Sequence, residues 1–258
     1  MISEAEIRAL LKTRTIGSTV FAFETIDSTN VFARSLRDDR SAHGALVVAD
    51  EQTAGKGRQG RVWKSQKGMN LLFSVVLRPN IAHERVRLLP FAAGLAVADA
   101  IEQTTGFAVE CKWPNDLLVG GKKVAGMLIE STVQNEAITN VILGIGVNVN
   151  QTQFPSELHA TSLSIHTGKD VDRVRLLCAI LEEVEQRYEQ LGHFSPRMIL
   201  DEWKQRAPMF GTMITLVEHG SPLKATAVDI AADGALVIEE LNGARREVLA
   251  GDVTLTQR

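Results

Sequence analysis

Apolar runs and amphipathic stretches alternate along the first four-fifths of the chain, roughly up to residue 206. Short apolar or alternating runs predict strands, and apolar positions three to four residues apart predict helices. The predicted strands cover residues 19–24, 45–49, 71–77, 109–113, 116–119, 124–130 and 141–147. The predicted helices cover residues 4–13, 31–37, 90–103, 170–191 and 195–205. Because most of these strands are joined by hairpins, the pattern favours an α+β domain with a mixed sheet flanked by helices.

The pattern changes at Ala207-Pro208. Beyond this point, short β-type runs follow one another, and Gly-containing turn sequences separate them. The runs cover residues 213–217, 224–230, 235–239, 246–249 and 253–256. Evenly spaced short strands of this kind are typical of a small barrel. We therefore predict a larger α+β domain at 1–206 and a small C-terminal β-barrel at 207–258.

Composition and charge exclude several classes of protein. The net charge of −3 gives no overall basic field to attract nucleic acid. Cys111 and Cys178 lie far apart and form no metal-binding spacing, so a reducing, cytoplasmic location is expected. The N-terminal residues include early acids and lack the apolar core of a secretory signal. No apolar run is long enough to span a membrane.

One segment combines glycines with basic side chains. Between Gln52 and His83 there is no Asp or Glu, and the loop at 55–61 reads GKGRQGR. Glycines allow backbone N–H groups to approach an oxyanion, and guanidinium groups add paired hydrogen bonds. The loop therefore indicates an anion-binding site, with a solvated basic loop as the alternative. It lacks the Gly-Lys-Ser/Thr ending of a Walker A loop, and no helix pattern follows it as in a dinucleotide-binding turn.

Three further clusters carry candidate chemistry. Residues 112–116 read KWPND, which on its own is better explained by an ordinary Pro-Asn-Asp turn than by a binding site. Residues 122–126 read KKVAG directly after Gly120-Gly121, the turn of a predicted hairpin. Lys123 is expected at this exposed turn, where lysines often serve solubility. Residues 144–150 read GIGVNVN, and glycines within an apolar strand indicate close approach of a ligand or another backbone. Trp63 is either a core residue or a stacking surface for a purine.

Together, these clusters resemble those of the biotin–protein ligase (biotin–[acetyl-CoA-carboxylase] ligase) family. The resemblance rests on TIDSTN, EQTAGKGRQGRVW, KWPNDLLVGGKKVAGMLIE and GIGVNVN, in this order and spacing. It covers the chain from about residue 20 to the end. It implies a biotin/ATP-binding catalytic domain at 1–206 and a C-terminal SH3-like β-barrel domain at 207–258. It implies a two-step reaction in which ATP activates biotin to biotinyl-5′-AMP with release of pyrophosphate. A lysine of a biotin carboxyl carrier protein then takes the biotinyl group and releases AMP.

The resemblance also implies roles for individual residues. The implied biotin-binding residues are Ser28, Thr29, Asn30, Gln52, Gly55, Lys56, Gly57, Arg58, Lys123 and Gly126. The implied ATP-binding residues are Arg58, Arg61, Trp63, Lys112, Asn115, Asp116 and Asn148. The implied catalytic residues are Arg58, Lys123 and Asp116. Lys56 departs from the arginine found in several members, which keeps the charge but loses the planar fork.

Further expectations concern partners and ions. ATP is expected with Mg²⁺ as its counter-ion rather than with a protein-held metal, and no His/Cys cluster suggests zinc. The resemblance implies a homodimer formed through the large domain's sheet. About twenty residues precede the first predicted strand, so we expect no helix-turn-helix domain and no DNA binding.

Two rival functions remain open at this stage. Lipoate–protein ligases share the fold and the acyl-adenylate chemistry, although the GKGR, KWPND and KKVAG motifs favour biotin. A catalytically inactive sensor of biotin or biotinyl-AMP is the second rival. The residues that argue against it are the retained Arg58, Arg61, Asn115, Asp116 and Lys123.

Overall fold

The fold is taken from a computed structural model that describes residues 1–79, 81–134, 137–193, 195–218 and 220–255. The strands are β1 (Val20–Ile26), β2 (Leu46–Gln52), β3 (Leu71–Leu77), β4 (Glu110–Lys112), β5 (Asp116–Val119), β6 (Lys122–Gln134), β7 (Ala137–Val147), β8 (Met213–Glu218), β9 (Ser221–Ile230), β10 (Leu236–Glu240), β11 (Arg245–Val248) and β12 (Asp252–Leu255). The helices are α1 (Glu4–Leu10), α2 (Thr29–Ser35), α3 (His83–Val86), α4 (Leu89–Thr105), α5 (Leu163–Thr167), α6 (Arg173–His193) and α7 (Pro196–Gln205).

The larger sheet has seven strands in the order β1-β2-β3-β7-β6-β5-β4. The β1–β2 pair is parallel and the other pairs are antiparallel, so the sheet is mixed. Strand β3 is buried along its whole length, as its unbroken apolar run predicts. Helices α4 and α6 pack against each other beside this sheet. The predicted α+β class is confirmed.

The β6–β7 hairpin is longer than its apolar runs predict. Strand β6 continues past Glu130 through four residues that are partly or fully exposed. Backbone pairing holds this extension, with Ser131 opposite Val141 and Thr132 opposite Asn140. Backbone pairing between two exposed strands does not require apolar side chains. The hydrophobic pattern therefore placed the end of this strand at Glu130, four residues too early.

The smaller sheet has five antiparallel strands in the order β11-β10-β9-β8-β12, where the small barrel was predicted. Residues 256–258, which end the predicted domain and its last strand, lie outside the described residues. The buried Trp113, which directly follows β4, contacts the turn before β10, because its Nε1–H donates to the carbonyl of Gly234 at 3.1 Å. The boundary between residues 206 and 207 stays a prediction.

Two short helices, α3 and α5, were not predicted, because four or five residues are too few to show a helical period. None of the helices in the described part of the chain has the length and apolar character needed to cross a bilayer.

A half-buried histidine makes the stability of the fold depend on pH. The backbone N–H of Arg78 donates to Nδ1 of His43 at 3.1 Å, which requires an unprotonated nitrogen. Burial, aided by the positive charge of Arg78, lowers the pKa of His43. The unfolded chain therefore binds this proton more readily than the folded chain, and stability is lost as the pH falls.

We expect the free energy of unfolding to fall as the pH is lowered from about 7 towards 5, by less than about 1 kcal/mol from this residue, because solvent screens a half-buried ring. Urea unfolding at several pH values measures the effect. His43→Gln keeps an acceptor for the N–H of Arg78 and is expected to flatten the profile in this range. An identical pH dependence in the variant would show that His43 is not responsible.

Candidate functional site

One end of the larger sheet opens into a cavity of about 940 Å³. Its wall is formed by the start of α2, the loop at 55–61 (called the glycine-basic loop below), the β5–β6 hairpin, β7, the segment 154–160 and strand β12. The residues predicted for the site that line it are Ser28, Thr29, Asn30, Gln52, Lys56, Gly57, Arg58, Arg61, Trp63, Lys112, Asn115, Asp116, Lys123, Gly126 and Asn148. The structure therefore brings together motifs that are more than a hundred residues apart in sequence.

The glycine-basic loop at 55–61 is closed by backbone contacts between its two ends. Lys56 and Val62 form an isolated antiparallel bridge, and the N–H of Gly57 donates to the carbonyl of Arg61 at 2.7 Å. At the tip, Gly60 has φ +75°, the left-handed region that favours glycine. The bridge gives the arginines of this loop a defined position at the cavity.

Gly55, which was predicted as a binding residue, is buried and is not among the residues that line the cavity. A Cβ added at Gly55 would lie 2.6 Å from the carbonyl oxygen of Trp63, closer than real Cβ contacts. The N–H of Trp63 also donates to the carbonyl of Gly55 at 2.9 Å. Gly55 therefore allows the two sides of the loop to pack closely, whereas Lys56 is exposed beside it.

The two arginines of the loop reach towards the smaller sheet. Nη1 of Arg58 lies 3.3 Å from Oδ1 of Asn115 and 3.4 Å from the carbonyl oxygen of Gly251. Nη2 of Arg61 lies 2.6 Å from Oδ1 of Asp252. Burial lowers the pKa of Arg58, yet a guanidinium stays protonated in proteins. Strand β12 is thus part of the site, which no sequence motif indicated.

A carboxylate between two lysines forms the adjoining wall. Nζ of Lys123 lies 2.6 Å from Oδ1 of Asp116, and Nζ of Lys112 lies 3.6 Å from Oδ2 of the same residue. Strands β4, β5 and β6 carry these side chains, and the hairpin register places them on neighbouring strands. Two cations share one carboxylate, so together with Arg58 this wall has a net positive charge. It is suited to bind a ligand that carries several negative charges.

Lys123 does not lie at an exposed turn, contrary to the sequence prediction. Its side chain is 32% exposed, and its Nζ lies 5.3 Å from the centre of the Trp63 ring. Its backbone N–H donates to the carbonyl of His159, and its carbonyl accepts from the N–H of Thr161. The segment that follows β7 therefore folds back over this hairpin and partly covers the lysine.

Side chains from other segments occupy the space beside Gly126, Gly144 and Gly146. The ring of Trp63 lies 3.1 Å from a Cβ built at Gly126 and 2.6 Å from one built at Gly146. A Cβ at Gly144 would lie 2.1 Å from Oδ1 of Asn30. The neighbours are therefore the indole of Trp63, the amide of Asn30 and, at Gly126, the end of the Lys123 side chain, rather than another backbone. The buried Nε1 of Trp63 has no hydrogen-bond partner among the residues the structure describes.

The opposite wall is polar and buried. Ser28, Thr29 and Asn30 lie at the start of α2, each with less than 5% of its surface exposed. Oε1 of Gln52 accepts the backbone N–H of Thr29 at 2.7 Å. Behind them, the hydroxyl of Ser74 lies 2.7 Å from Oγ1 of Thr29 and 2.6 Å from Oδ1 of Asn30. Ser74 was missed, although a serine in the apolar run LLFSVVL was the signal.

Asn148 lines the cavity, but its own hydrogen bonds connect the end of β7 to β6 and to the segment around Thr161. Its Nδ2 donates to the carbonyl of Thr161 at 3.0 Å, and its backbone N–H donates to Val124 at 2.8 Å. Further lining residues that sequence patterns did not reveal are Phe73, Phe154, Glu157, Leu158, His159, Ala160, Thr254 and Leu255. They come from strands, coil and a short 3₁₀ turn at Ser156–Leu158, none of which carries a recognisable motif.

Neither a metal cage nor a reactive thiol is found in the described part of the chain. No group of three or more His, Cys, Asp or Glu side chains is arranged to hold a metal ion there. Burial raises the pKa of Cys111 to about 12 and that of Cys178 to about 11, so both thiols stay protonated near neutral pH.

Comparison with known proteins gives a consistent result. Residues 22–148 match the model of the biotin/lipoate A/B protein ligase family, and residues 210–255 match that of the biotin protein ligase C terminal domain. The bifunctional ligase/repressor BirA of Bacillus subtilis is 37% identical over 98% of this chain and 79% of its own length. The biotin–[acetyl-CoA-carboxylase] ligase of Mycobacterium tuberculosis is 33% identical over 81% of this chain and 78% of its own length.

A solved structure extends the likeness to three dimensions. Biotin protein ligase from Aquifex aeolicus, in complex with biotin and ATP, superimposes with a TM-score of 0.79 and 30% sequence identity. The match covers 93% of this chain and all of the other chain.

Proposed function

The chain belongs to the biotin protein ligase family, and from that premise we propose how its cavity performs the two steps of biotinylation. In the first step, an oxygen of the biotin carboxylate attacks the α-phosphorus of ATP, and pyrophosphate leaves with the electrons of the broken P–O bond. In the second step, the amine of an acceptor lysine attacks the carbonyl of biotinyl-5′-AMP. AMP leaves, the amine loses a proton, and an amide bond remains.

The observation that carries this proposal is that two chemically different walls meet in one cavity. The cationic wall carries Arg58, Lys112 and Lys123, and the polar wall carries Thr29 and Gln52. A carboxylate and a triphosphate repel each other, so bringing them together requires fixed positive charge. An uncharged polar ring at the other end of biotin requires hydrogen-bonding groups in a buried pocket.

We assign the lining residues to the two substrates. The residues proposed to bind biotin are Ser28, Thr29, Asn30, Gln52, Lys56, Gly57, Arg58, Lys123 and Gly126, with Gly55 supporting the loop through its backbone. The residues proposed to bind ATP are Arg58, Arg61, Trp63, Lys112, Asn115 and Asp116, with Asn148 holding the wall beside them. Trp63 is proposed to cover the adenine, since an indole offers a flat apolar face.

Arg58 and Lys123 are proposed as the catalytic cations of the first step. Arg58 is half-buried and fixed by Asn115, so its planar fork can contact the biotin carboxylate and the α-phosphate together. Lys123 adds a second charge where the phosphate becomes more negative during attack. Asp116 orients Lys123 through their 2.6 Å contact. Once Lys123 binds the phosphate, Asp116 is available to accept the proton of the incoming amine.

Several further features belong to the proposal. ATP is proposed to enter with Mg²⁺ held by its phosphate oxygens, because the described residues offer no carboxylate cage for the ion. The acceptor is proposed to be a biotin carboxyl carrier protein such as that of acetyl-CoA carboxylase. We also propose a homodimer formed through the larger sheet and a cytoplasmic location, where both substrates and the carrier are available.

Exchange of labelled pyrophosphate into ATP tests the first step directly. We expect exchange that depends on biotin and is not supported by lipoate at the same concentration. Exchange with lipoate alone would contradict the choice of biotin over lipoate. Tight biotin binding with no exchange in the presence of ATP and Mg²⁺ would instead support a biotin sensor.

The contact between the two sheets gives a separate prediction. Asp252 accepts from Nη2 of Arg61, and the carbonyl of Arg58 accepts from Nε of Arg61 at 3.3 Å, so these two contacts position the guanidinium at the cavity. Asp252→Ala removes this support, and we expect the KM for ATP to rise about fivefold while the KM for biotin is unchanged. Steady-state exchange kinetics measure both constants. Glu239→Ala, which breaks an exposed ion pair in the same sheet, is the control.

A further inference from the structure

We propose that a directional chain of hydrogen bonds from Thr29 through Ser74 and Asn30 to Glu130 fixes the Thr29 hydroxyl as an acceptor for an N–H group of biotin. Ser74 and Glu130 are then positioning residues that determine specificity for the urea ring. The inference rests on the proposed function, because it requires that biotin's ring lies against the polar wall of the cavity.

The far end of this chain of hydrogen bonds is an ion pair between Glu130 and Arg34, outside the cavity. Oε1 of Glu130 lies 3.3 Å from Nη1 of Arg34, and Oε2 lies 2.8 Å from Nδ2 of Asn30. An ionised carboxylate accepts hydrogen bonds and cannot donate one. The NH₂ group of the buried Asn30 must therefore face Glu130, and its carbonyl oxygen must face the opposite way, towards Ser74.

The number of available protons determines which atom donates in the two contacts of Ser74. Oγ of Ser74 lies 2.6 Å from Oδ1 of Asn30, a separation that requires a proton between the two oxygens. The amide oxygen carries none, so the proton is that of Ser74. Ser74 is fully buried, and Oγ also lies 2.7 Å from Oγ1 of Thr29. Because the Ser74 proton is already committed, the proton in this second contact belongs to Thr29.

This arrangement settles what Thr29 offers to a ligand. Its hydroxyl proton points to Ser74 rather than to Oε1 of Gln52 at 3.1 Å, and that oxygen already accepts the N–H of Thr29 at 2.7 Å. The free lone pair of Oγ1 is then available as an acceptor at the cavity wall, where Thr29 and Gln52 both lie. The Nε2 group of Gln52 provides donors beside it.

Biotin presents the complementary groups. Its cyclic urea has two N–H donors and one carbonyl acceptor, whereas the dithiolane ring of lipoate has neither. A buried site built to pair with an N–H strongly disfavours a ligand that leaves it unpaired. The chain through Ser74 thus gives a physical basis for choosing biotin over lipoate in a shared fold.

Gly144 makes the chain sterically possible. A Cβ at this position would lie 2.1 Å from Oδ1 of Asn30 and would displace the side chain from Ser74 and Glu130. Neither Ser74 nor Glu130 lines the cavity, so any effect of replacing them reaches the ligand through Thr29.

Two variants interrupt the chain at different places. Ser74→Ala removes the central hydroxyl and leaves the Thr29 proton free to turn towards Gln52 or the ligand. Glu130→Ala lets the Asn30 amide turn over, so that the whole chain can reverse and Thr29 becomes a donor. Ser131→Ala, at the exposed neighbour of Glu130 on β6, is the matched control.

Pyrophosphate exchange gives the KM for biotin and for ATP in each variant, and thermal unfolding reports on folding. We expect the biotin KM to rise about tenfold in both variants, with the ATP KM within twofold of the parent protein. Ser131→Ala is expected to match the parent. A merely structural role would lower the melting temperature or raise both KM values together.

The inference is overturned if both variants keep a biotin KM within twofold of the parent, or if the ATP KM rises equally. If Ser74→Ala fails to fold, Glu130→Ala decides, because Glu130 lies at the partly exposed end of the chain. Failure of the proposed function looks different, since the parent protein itself would then show no biotin-dependent exchange.

Discussion

Replacement of Arg58 by alanine is expected to slow biotinyl-AMP formation by about a thousandfold and to speed the escape of the adenylate. Removal of one group that stabilises developing charge typically costs two to three orders of magnitude in rate. Arg58 is the half-buried cation of the glycine-basic loop, and Asn115 and the carbonyl of Gly251 hold its guanidinium. The other guanidinium of the loop, that of Arg61, contacts Asp252 instead of Asn115 and so does not take its place.

Single-turnover formation of biotinyl-AMP measures the first effect, and a filtration assay of bound adenylate over time measures the second. Arg58→Lys keeps the charge but loses the fork, so its rate is expected to lie between those of Arg58→Ala and the parent. Arg245→Ala, at an exposed arginine on β11, is the control for loss of a surface charge. Unchanged adenylate formation in Arg58→Ala would contradict the role assigned to Arg58.

Replacement of Lys123 by alanine is expected to slow the first step by about a hundredfold or more while the fold is retained. The ammonium group lies between Asp116 and the ring of Trp63, where the α-phosphate is proposed to bind. Its loss removes one charge from the reacting phosphate. The backbone contacts of this residue with His159 and Thr161 do not depend on the side chain, and Asp116 keeps Lys112 as a partner.

Calorimetry and pyrophosphate exchange on the same sample separate the two effects for Lys123→Ala. Lys224→Ala, at an exposed lysine of β9, controls for the loss of a lysine elsewhere. A melting temperature within a few degrees of the parent, together with the loss of exchange, supports a catalytic role. A collapse of the melting transition with exchange retained in the folded fraction would make Lys123 a structural residue.

Local patterns were sufficient to predict most of the fold. The apolar run of β3 and the Gly120-Gly121 turn between β5 and β6 gave the correct elements, because burial and turn chemistry act over a few residues. The extension of β6 and β7 was underestimated, since exposed pairing leaves no hydrophobic signal. Helices of four or five residues left no periodic signal either.

The site was predictable where its residues share a short motif. Asp116 and Lys123 lie on paired strands of one hairpin, so a sequence reading that finds the hairpin also brings them together. Asp252 could not be found in this way, because its contact with Arg61 joins positions far apart in the chain. The same holds for the segment 154–160, which reaches the cavity only because the chain folds back over Lys123.

Two expectations changed once contacts were known. The glycines at 144 and 146 were expected to face a ligand or another backbone, whereas the side chains of Asn30 and Trp63 fill the space beside them. Lys123 was expected at an exposed turn, yet it is half-buried. The glycines correctly indicated a close approach, and the lysine correctly indicated a positive charge. Which group lies next to each of them depended on tertiary packing.

The central claim is that this cavity transfers biotin to a protein lysine through a biotinyl-AMP intermediate. Its most direct test is to incubate the protein with biotin, ATP, Mg²⁺ and the biotin-accepting domain of an acetyl-CoA carboxylase, and to measure the mass of that domain. We predict that the domain gains the mass of one biotinyl group on its acceptor lysine, and that Lys123→Ala abolishes the gain within the same time. An unchanged carrier mass, with folded protein and both substrates present, would contradict the claim.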